Sequence, residues 1–428
     1  MSKILTSPAG NIRLELRDDR LSAWLTIIGR EEMSNERDIL DLIEQAGIKT
    51  GFEEAAKYMR KHGLEKDFDT AFPIAMCNRV QGETKLSYYF DLEKARHFDG
   101  RVTINDLSQL TCIEAGTVVA DFNGNIFDRQ GSIYDIYGEM LEDEEFKPEA
   151  VQRLIGVNVS YDFQRRQFVA SSAGYPSVGE DGRISVIAQL CIEGDVTDPV
   201  PELRCPVSLA ITGTVSGTRI TAGGNLSIGG SVISSTLLCQ GNLIVGEGIE
   251  ACQQPGLEIW GDISCAAIKS STVLCRGKLT FTDSIRTSEI YADGGIKTET
   301  GSISGGHLES GDTVEAKDLG DAQGGATELE ITISPFYKAK LMQLTKDLIR
   351  LKQAESPASE ALEDLNSRIR SCELELDREL NTYLQQPRPE KLRLSVRGEL
   401  FPPVSIRILK HEYTIKERKS QLEILEKD

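Results

Sequence analysis

The sequence predicts a mainly β protein with added helices: an N-terminal α+β region, a central parallel β-helix, and a C-terminal antiparallel coiled-coil hairpin followed by returning strands. Three observations lead there. Residues 203–330 are rich in glycine, nearly free of aromatics, and return a branched aliphatic about every six positions. After Ser334-Pro335 the apolar spacing switches abruptly to three and four, and after Pro387 it switches again, to the alternation of strands.

The central repeat can be followed residue by residue. Ile220, Leu226, Val232 and Leu238 are six apart, and Ile263, Ile268, Val273, Leu279, Ile285, Ile290 and Ile296 are five or six apart. A longer period is marked by pairs, all but the first led by glycine, Leu209/Ile211, Leu226/Ile228, Leu243/Val245, Leu257/Ile259, Leu279/Phe281 and then Ile296; the 87 residues from first to last fall in five intervals, or 17.4 per turn. A rung of three short strands has too few inward aliphatics to form a core alone, so rungs must stack. Stacking pairs each strand in parallel with its copies about 4.8 Å away, and about seven rungs would make a column of roughly 30 Å. Glycines are expected at the corners, supplying positive φ and close approach. Leu243 to Leu257 is 14 and Leu257 to Leu279 is 22, a departure assigned to the Cys252-Gln253-Gln254-Pro255 stretch and a compensating insertion that shift one corner.

Taken in order, residues 1–65 read as a ββαα module. Ile12, Leu14 and Leu16 alternate, Asp18-Asp19-Arg20 can turn, and Leu21 to Ile28 returns. Ser34 or Asn35 can cap a helix that carries Ile39, Leu40, Ile43 and Ala46 on one face and ends at Gly47. Thr50-Gly51-Phe52-Glu53 has capping-box spacing for a second helix, which Gly63 can stop. Residues 66–190 form a strand-rich region with candidate strands at 74–77, 86–90, 117–122 and 157–161. The β-helix occupies 191–333. The hairpin occupies 334–386: Leu341, Leu344, Leu348 and Leu351 mark one arm, Leu362, Leu365, Ile369, Cys372 and Leu376 the other, and Ser356-Pro357 starts the second. In 387–428, Leu392, Leu394 and Val396 alternate, as do Val404, Ile406 and Ile408, across a turn at 398–403. These strands are expected to return to the column and cap its open edge.

Composition sets the function classes. The 428 residues are 39% hydrophobic and 27% charged, a soluble, folded composition, and neither a signal-peptide core nor an 18-residue apolar run is read in them. A cytoplasmic protein is expected, without membrane insertion. The formal charge of −19 is concentrated early, with 22 basic against 36 acidic residues in 1–202, while 387–428 carries 10 against 7. Such a balance argues against nucleic-acid binding. Nine cysteines, Cys239, Cys265, Cys275 and Cys372 among them, show no Cys-x-x-Cys spacing and read as buried or half-buried free thiols.

With these elements in place, the chain resembles the flagellar assembly protein A family. The resemblance is carried by the order of Ile48-Lys49-Thr50-Gly51-Phe52, Ile192-Glu193-Gly194-Asp195-Val196, Ile211-Thr212-Gly213-Thr214-Val215, Ala222-Gly223-Gly224-Asn225-Leu226, and Ile303-Ser304-Gly305-Gly306-His307 with Leu319-Gly320 and Ala326-Thr327-Glu328-Leu329. Two places depart: the family's glycine-rich stretch is shortened to Val119-Ala120-Asp121-Phe122-Asn123-Gly124-Asn125, and Pro403 stands where a glycine is usual. The resemblance implies a right-handed β-helix, similar to those of bactofilins and the septum-site inhibitor's C-terminal domain. It also implies a bacterial protein of flagellar assembly at the cell pole, self-association, and polar or flagellar protein partners or the glucose phosphocarrier of the sugar phosphotransferase system.

Motifs for chemistry are sparse. His307, the column's sole histidine, follows Gly305-Gly306 and reads as an exposed turn, not the base of a hexapeptide acyltransferase. Asp262, Asp283, Asp293 and Asp312 are spaced too irregularly for a polysaccharide lyase or hydrolase. Gly246-Glu247-Gly248-Ile249-Glu250-Ala251 mimics a dinucleotide fingerprint but precedes no long helix, so it reads as a corner. The run Glu142-Asp143-Glu144-Glu145 lacks the oxygen spacing of a calcium loop and reads as a solvated loop. The expectation is a non-enzymatic scaffold or adaptor without catalytic, metal or cofactor residues. Two alternatives stand beside it: a regulatory module reading the phosphocarrier, and a bactofilin-like structural polymer.

Overall fold

A computed structural model describes residues 3–28, 36–62, 69–77, 86–122, 134–139, 148–198, 200, 202–253, 256–323, 325–353, 359–385 and 392–425. Ser34, Asn35, Gly63, the 142–145 acidic run, residues 123–125, Gln254, Pro255, Ser356, Pro357 and Pro387 lie outside them. The chain divides into two units. The first holds residues 1–91, 118–155 and 160–169, the second residues 92–117, 156–159 and 170–428.

In the first unit, Lys3–Thr6, Ile12–Leu16, Ser22–Ile27 and Phe72–Met76 form an antiparallel sheet in chain order. The expected hairpin is its centre, and strands on both sides extend it. Ile12, Leu14, Leu16 and Leu25 point inward with Leu42, Ala46 and Ile136 in the same core. On helix Glu36–Ala46 the buried stripe runs through Leu42; Leu40, expected on that face, is 58% exposed. Position 42 keeps the three- and four-residue spacing with Ile39 and Ala46 that a helix face needs. Gly51, not Thr50, directly precedes helix Phe52–His62 and accepts the Ala55 N–H, while the Thr50 hydroxyl donates to the Asp135 carbonyl. A second sheet orders Leu86–Tyr88, Val118–Phe122, Gln167–Ala170 and Val159–Asp162.

The second unit is built on a parallel β-solenoid of about eight turns before its helices. Three inward columns run through it in register. The first is Leu190, Leu209, Leu226, Leu243, Ile263, Leu279, Ile296, Val314 and Leu394. The second is Val196, Val215, Val232, Ile249, Ile268, Ile285, Ile303, Leu319 and Leu400. The third is Leu203, Ile220, Leu237, Leu257, Val273, Ile290, Leu308, Leu329 and Ile406. All of these are buried.

The register corrects two readings. In strand Thr236–Cys239 the inward residues are Leu237 and Cys239, not Leu238, because Ile220 stacks on the residue 17 positions later. Leu257 belongs to the third column, and the partner of Leu243 in the first is Ile263. The uneven spacing is therefore an insertion ahead of Leu257, which lies 20 residues after Leu237 instead of 17.

Two corner ladders hold the turns together. At one corner Gly217, Ser234, Ala251, Ser270, Thr287 and Gly305 all have φ between 47° and 68°. Glycine supplies that conformation at only two of the six turns, contrary to expectation. The backbone there is held by buried side chains: Thr218 N–H donates to Ser235 Oγ (3.3 Å), Ser235 N–H to Cys252 Sγ (3.5 Å), Cys252 N–H to Ser271 Oγ (3.1 Å), and Ser271 N–H to Ser288 Oγ (3.3 Å). At another corner glycine serves close approach, since a Cβ on Gly277 would lie 2.7 Å from the Gly261 carbonyl. Asn225, Asn242 and Asp262 each accept the backbone N–H one turn on, at 2.7–2.9 Å.

Both ends of the stack are covered. Phe98, Val102, Ile104, Leu110 and Cys112 pack against the core at its start. Beyond Thr327–Ile331 the chain leaves the solenoid for a leading helix, Pro335–Gln353, and a trailing helix, Ser359–Gln385, which pack through Leu344, Leu365 and Cys372. It re-enters as Arg393–Phe401 and Val404–Ile408, parallel to the preceding turn. These strands were expected as the cap; they are a ninth turn, and the cap is formed by His411–Ile415 and Lys419–Leu425, which pair with them antiparallel.

Candidate functional site

The residues singled out for chemistry are dispersed and mostly structural. His307 is not an exposed turn: it lies in strand Ser302–Ser310, its side chain 33% exposed, with Nε2 3.0 Å from Glu309 and Nδ1 3.2 Å from Glu328. The corner is at Gly305-Gly306, one residue earlier. Hydrogen bonding to Glu309 raises the imidazole pKa. Asp262 belongs to the corner ladder, and Asp312 accepts the Thr313 N–H at 2.7 Å. Gly246 sits where a Cβ would meet the Gly229 carbonyl oxygen at 2.2 Å, and the strand Gly248–Glu250 follows. Among the described residues no group of three His, Cys, Asp or Glu side chains is placed to hold a metal. All nine cysteines are free thiols, seven buried and two half-buried, and burial pushes the Cys265 thiol up to about 12.

Asp293 is the exception, because it fastens the helices to the third face. Its carboxylate accepts the Phe336 N–H and pairs with Arg276, each at 2.9 Å. Burial raises its pKa to about 6 in spite of both partners. Arg276 also pairs with Glu379 of the trailing helix and lies 5.1 Å from the Tyr337 ring. Nearby, Lys340 pairs with Glu258 and sits 4.3 Å over Trp260, whose ring meets Phe336 edge-on at 5.4 Å. Leu274 and Tyr291, facing outward from the sheet, complete this apolar dock. The helices are thus fixed over the middle turns by aromatic packing and two part-buried ion-pair groups.

Over the earlier turns, whose outward residues carry no aromatic ring, the dock gives way to a groove of about 800 Å³. Its floor is Arg204, Arg219, Thr221, Thr236, Leu238 and Gln240 of the early turns; its other wall includes Gln343, Lys346, Asp347 and Arg350 of the leading helix and Arg368 of the trailing helix. Six of the lining residues are basic and three, Glu202, Glu258 and Asp347, are acidic. Sequence reasoning missed this site. Strand alternation could have placed Arg204 and Arg219 outward on adjacent turns, but no local signal announces that a helix 130 residues later lies across them.

The fold defines the class: a β-solenoid protein with a helix pair inserted before its last turn. Residues 188–357 match the family model of the Flagellar Assembly Protein A beta solenoid domain. Neither the comparison with curated proteins nor that with solved structures found a match. The likeness to the flagellar assembly protein A family is thus one of the solenoid and the start of the helix pair, residues 188–357.

Proposed function

We propose that this protein is a non-enzymatic scaffold or adaptor in flagellar assembly, acting in the cytoplasm at the cell pole. The observation that carries the reading is the match of the solenoid to the flagellar assembly family. The architecture suits the role: a stack locked by register and corner ladders supplies a rigid body, and the helix pair, read as an antiparallel coiled-coil hairpin, supplies an arm for partners. Polar or flagellar proteins are the expected partners, with self-association into a homo-oligomer. Among the described residues no helix is long and apolar enough to cross a membrane.

The test is a count of flagella per cell by negative-stain electron microscopy in a deletion strain and its complemented counterpart. Missing or misplaced flagella, restored by complementation, support the role; normal number and placement overturn it. A regulatory module for the sugar phosphotransferase system remains the reading to take up if flagella are normal and the purified protein binds only the unphosphorylated phosphocarrier. The covered ends of the stack weigh against a bactofilin-like polymer built end to end, since both terminal cores already have partners.

A further inference from the structure

The chain carries a formal charge of −19, yet its groove beneath the leading helix is lined by six basic and three acidic residues. Internal ion pairs account for part of that excess. Arg204 pairs with Glu202 at 3.0 Å, Lys340 with Glu258, Arg350 with Asp347 at 3.8 Å, and Arg368 with Asp364 at 3.8 Å. Arg219 on the floor and Lys346 on the wall have no ion-pair or hydrogen-bond partner among the described residues. Lys346 and Arg350 are four apart on one helix face, and Arg204 and Arg219 lie on adjacent turns about 4.8 Å apart. Two rows of cations therefore face each other across the gap.

We propose that this groove docks an acidic segment of a partner polypeptide, with its carboxylates on Arg219 and Lys346 and an apolar side chain on Leu238. Three observations favour a polypeptide over other anions. The cations are spread along the groove and are not gathered at one helix terminus: among the described residues its wall takes Lys340 to Arg350 from the flank of the leading helix and Arg368 from the trailing one, so no single point concentrates the charge that a compact phosphate needs. Leu238 turns its side chain out of the solenoid into the groove, an apolar contact that a small inorganic anion cannot use. The carboxylates of Glu202, Glu258 and Asp347 within the lining, together with the acidic balance of the chain, oppose the uniform charge of a nucleic-acid backbone. A mixed polypeptide, with spaced carboxylates and intervening apolar residues, meets all three conditions. The inference concerns the purified protein and does not depend on the flagellar role.

The test is fluorescence anisotropy of the full-length protein with a labelled twelve-residue peptide repeating Glu-Glu-Leu. Binding should weaken as salt rises. Arg219→Glu and Lys346→Glu should each lower the affinity about tenfold or more, and Arg286→Glu, on the second face of the solenoid, should leave it unchanged. Circular dichroism and melting of the variants should match wild type, since all three side chains are exposed. A peptide with Gln for Glu should not bind, and one with Ser for Leu should bind several-fold more weakly. The proposal is overturned if wild type does not bind the acidic peptide, or if the charge reversals in the groove have no more effect than Arg286→Glu. It is also overturned if inorganic tripolyphosphate displaces the peptide while the Ser-for-Leu peptide binds undiminished, or if a single-stranded oligonucleotide of equal length binds as tightly.

Discussion

At the scale of the residue, the solenoid is an alternation read twice, once along each strand and once up the stack. A one-residue slip in a strand sends every side chain to the opposite face, so the assignment of Leu237 inward and Leu238 outward has sharp consequences. Leu237 is fully buried between Ile220 and Leu257, and a carboxylate there would lack a partner. Leu237→Asp should destabilise the protein by about 3 kcal/mol or more. Leu238→Asp should stay within about 1 kcal/mol of wild type, the range of half-exposed substitutions. Ile268→Asp should behave like Leu237→Asp, since Ile268 is buried between Ile249 and Ile285. Urea denaturation of the three variants measures this; equal losses at 237 and 238 would refute the 17-residue register.

At the scale of the element, the helix pair depends on a small dock whose electrostatics respond to pH. Asp293 has its pKa raised from 3.8 to about 6, chiefly because burial penalises the charge. The folded protein therefore holds this proton more tightly than the unfolded chain. That contribution to stability is fully present below pH 3.8 and is lost as pH rises through about 6. Asp293→Asn keeps an oxygen acceptor for the Phe336 N–H but does not titrate. Melting temperatures between pH 4 and 7 should show wild type losing ground to the variant as pH rises; a constant difference would mean that Asp293 is not desolvated by the helices. The helices themselves were legible, because Leu344, Leu365, Ile369 and Cys372 recur at three and four in a charged background. The dock was not, because Asp293, Trp260 and Lys340 come from separate turns and meet only once the stack is formed. The same distinction runs through the fold: the 17-residue period and the returning strands could be read locally. The column to which Leu257 belongs could not, because an insertion and a shift of face look alike when only spacing is visible.

At the scale of the whole second unit, the solenoid is completed by a segment that the chain supplies after leaving it. Val314, Leu319 and Leu329 of the eighth turn are buried only because Leu394, Leu400 and Ile406 stack on them after the helices. Glu315 ties the two turns from outside: against the cost of its partial burial, Lys297 and Arg393 hold its carboxyl below the usual range, and Arg397 reaches its other oxygen at 3.4 Å. A chain ending at Ser334 would expose both that apolar edge and a row of unpaired backbone groups, the arrangement through which strands recruit other chains. A chain ending at Lys410 would keep the ninth turn and lose only its antiparallel cover. Light scattering behind gel filtration should find the shorter truncation aggregated, the longer one partly so, and the full chain in a defined state. Should the Ser334 truncation behave like the full chain, the ninth turn would be an appendage, and the stack would hold together without the strands that follow the helices.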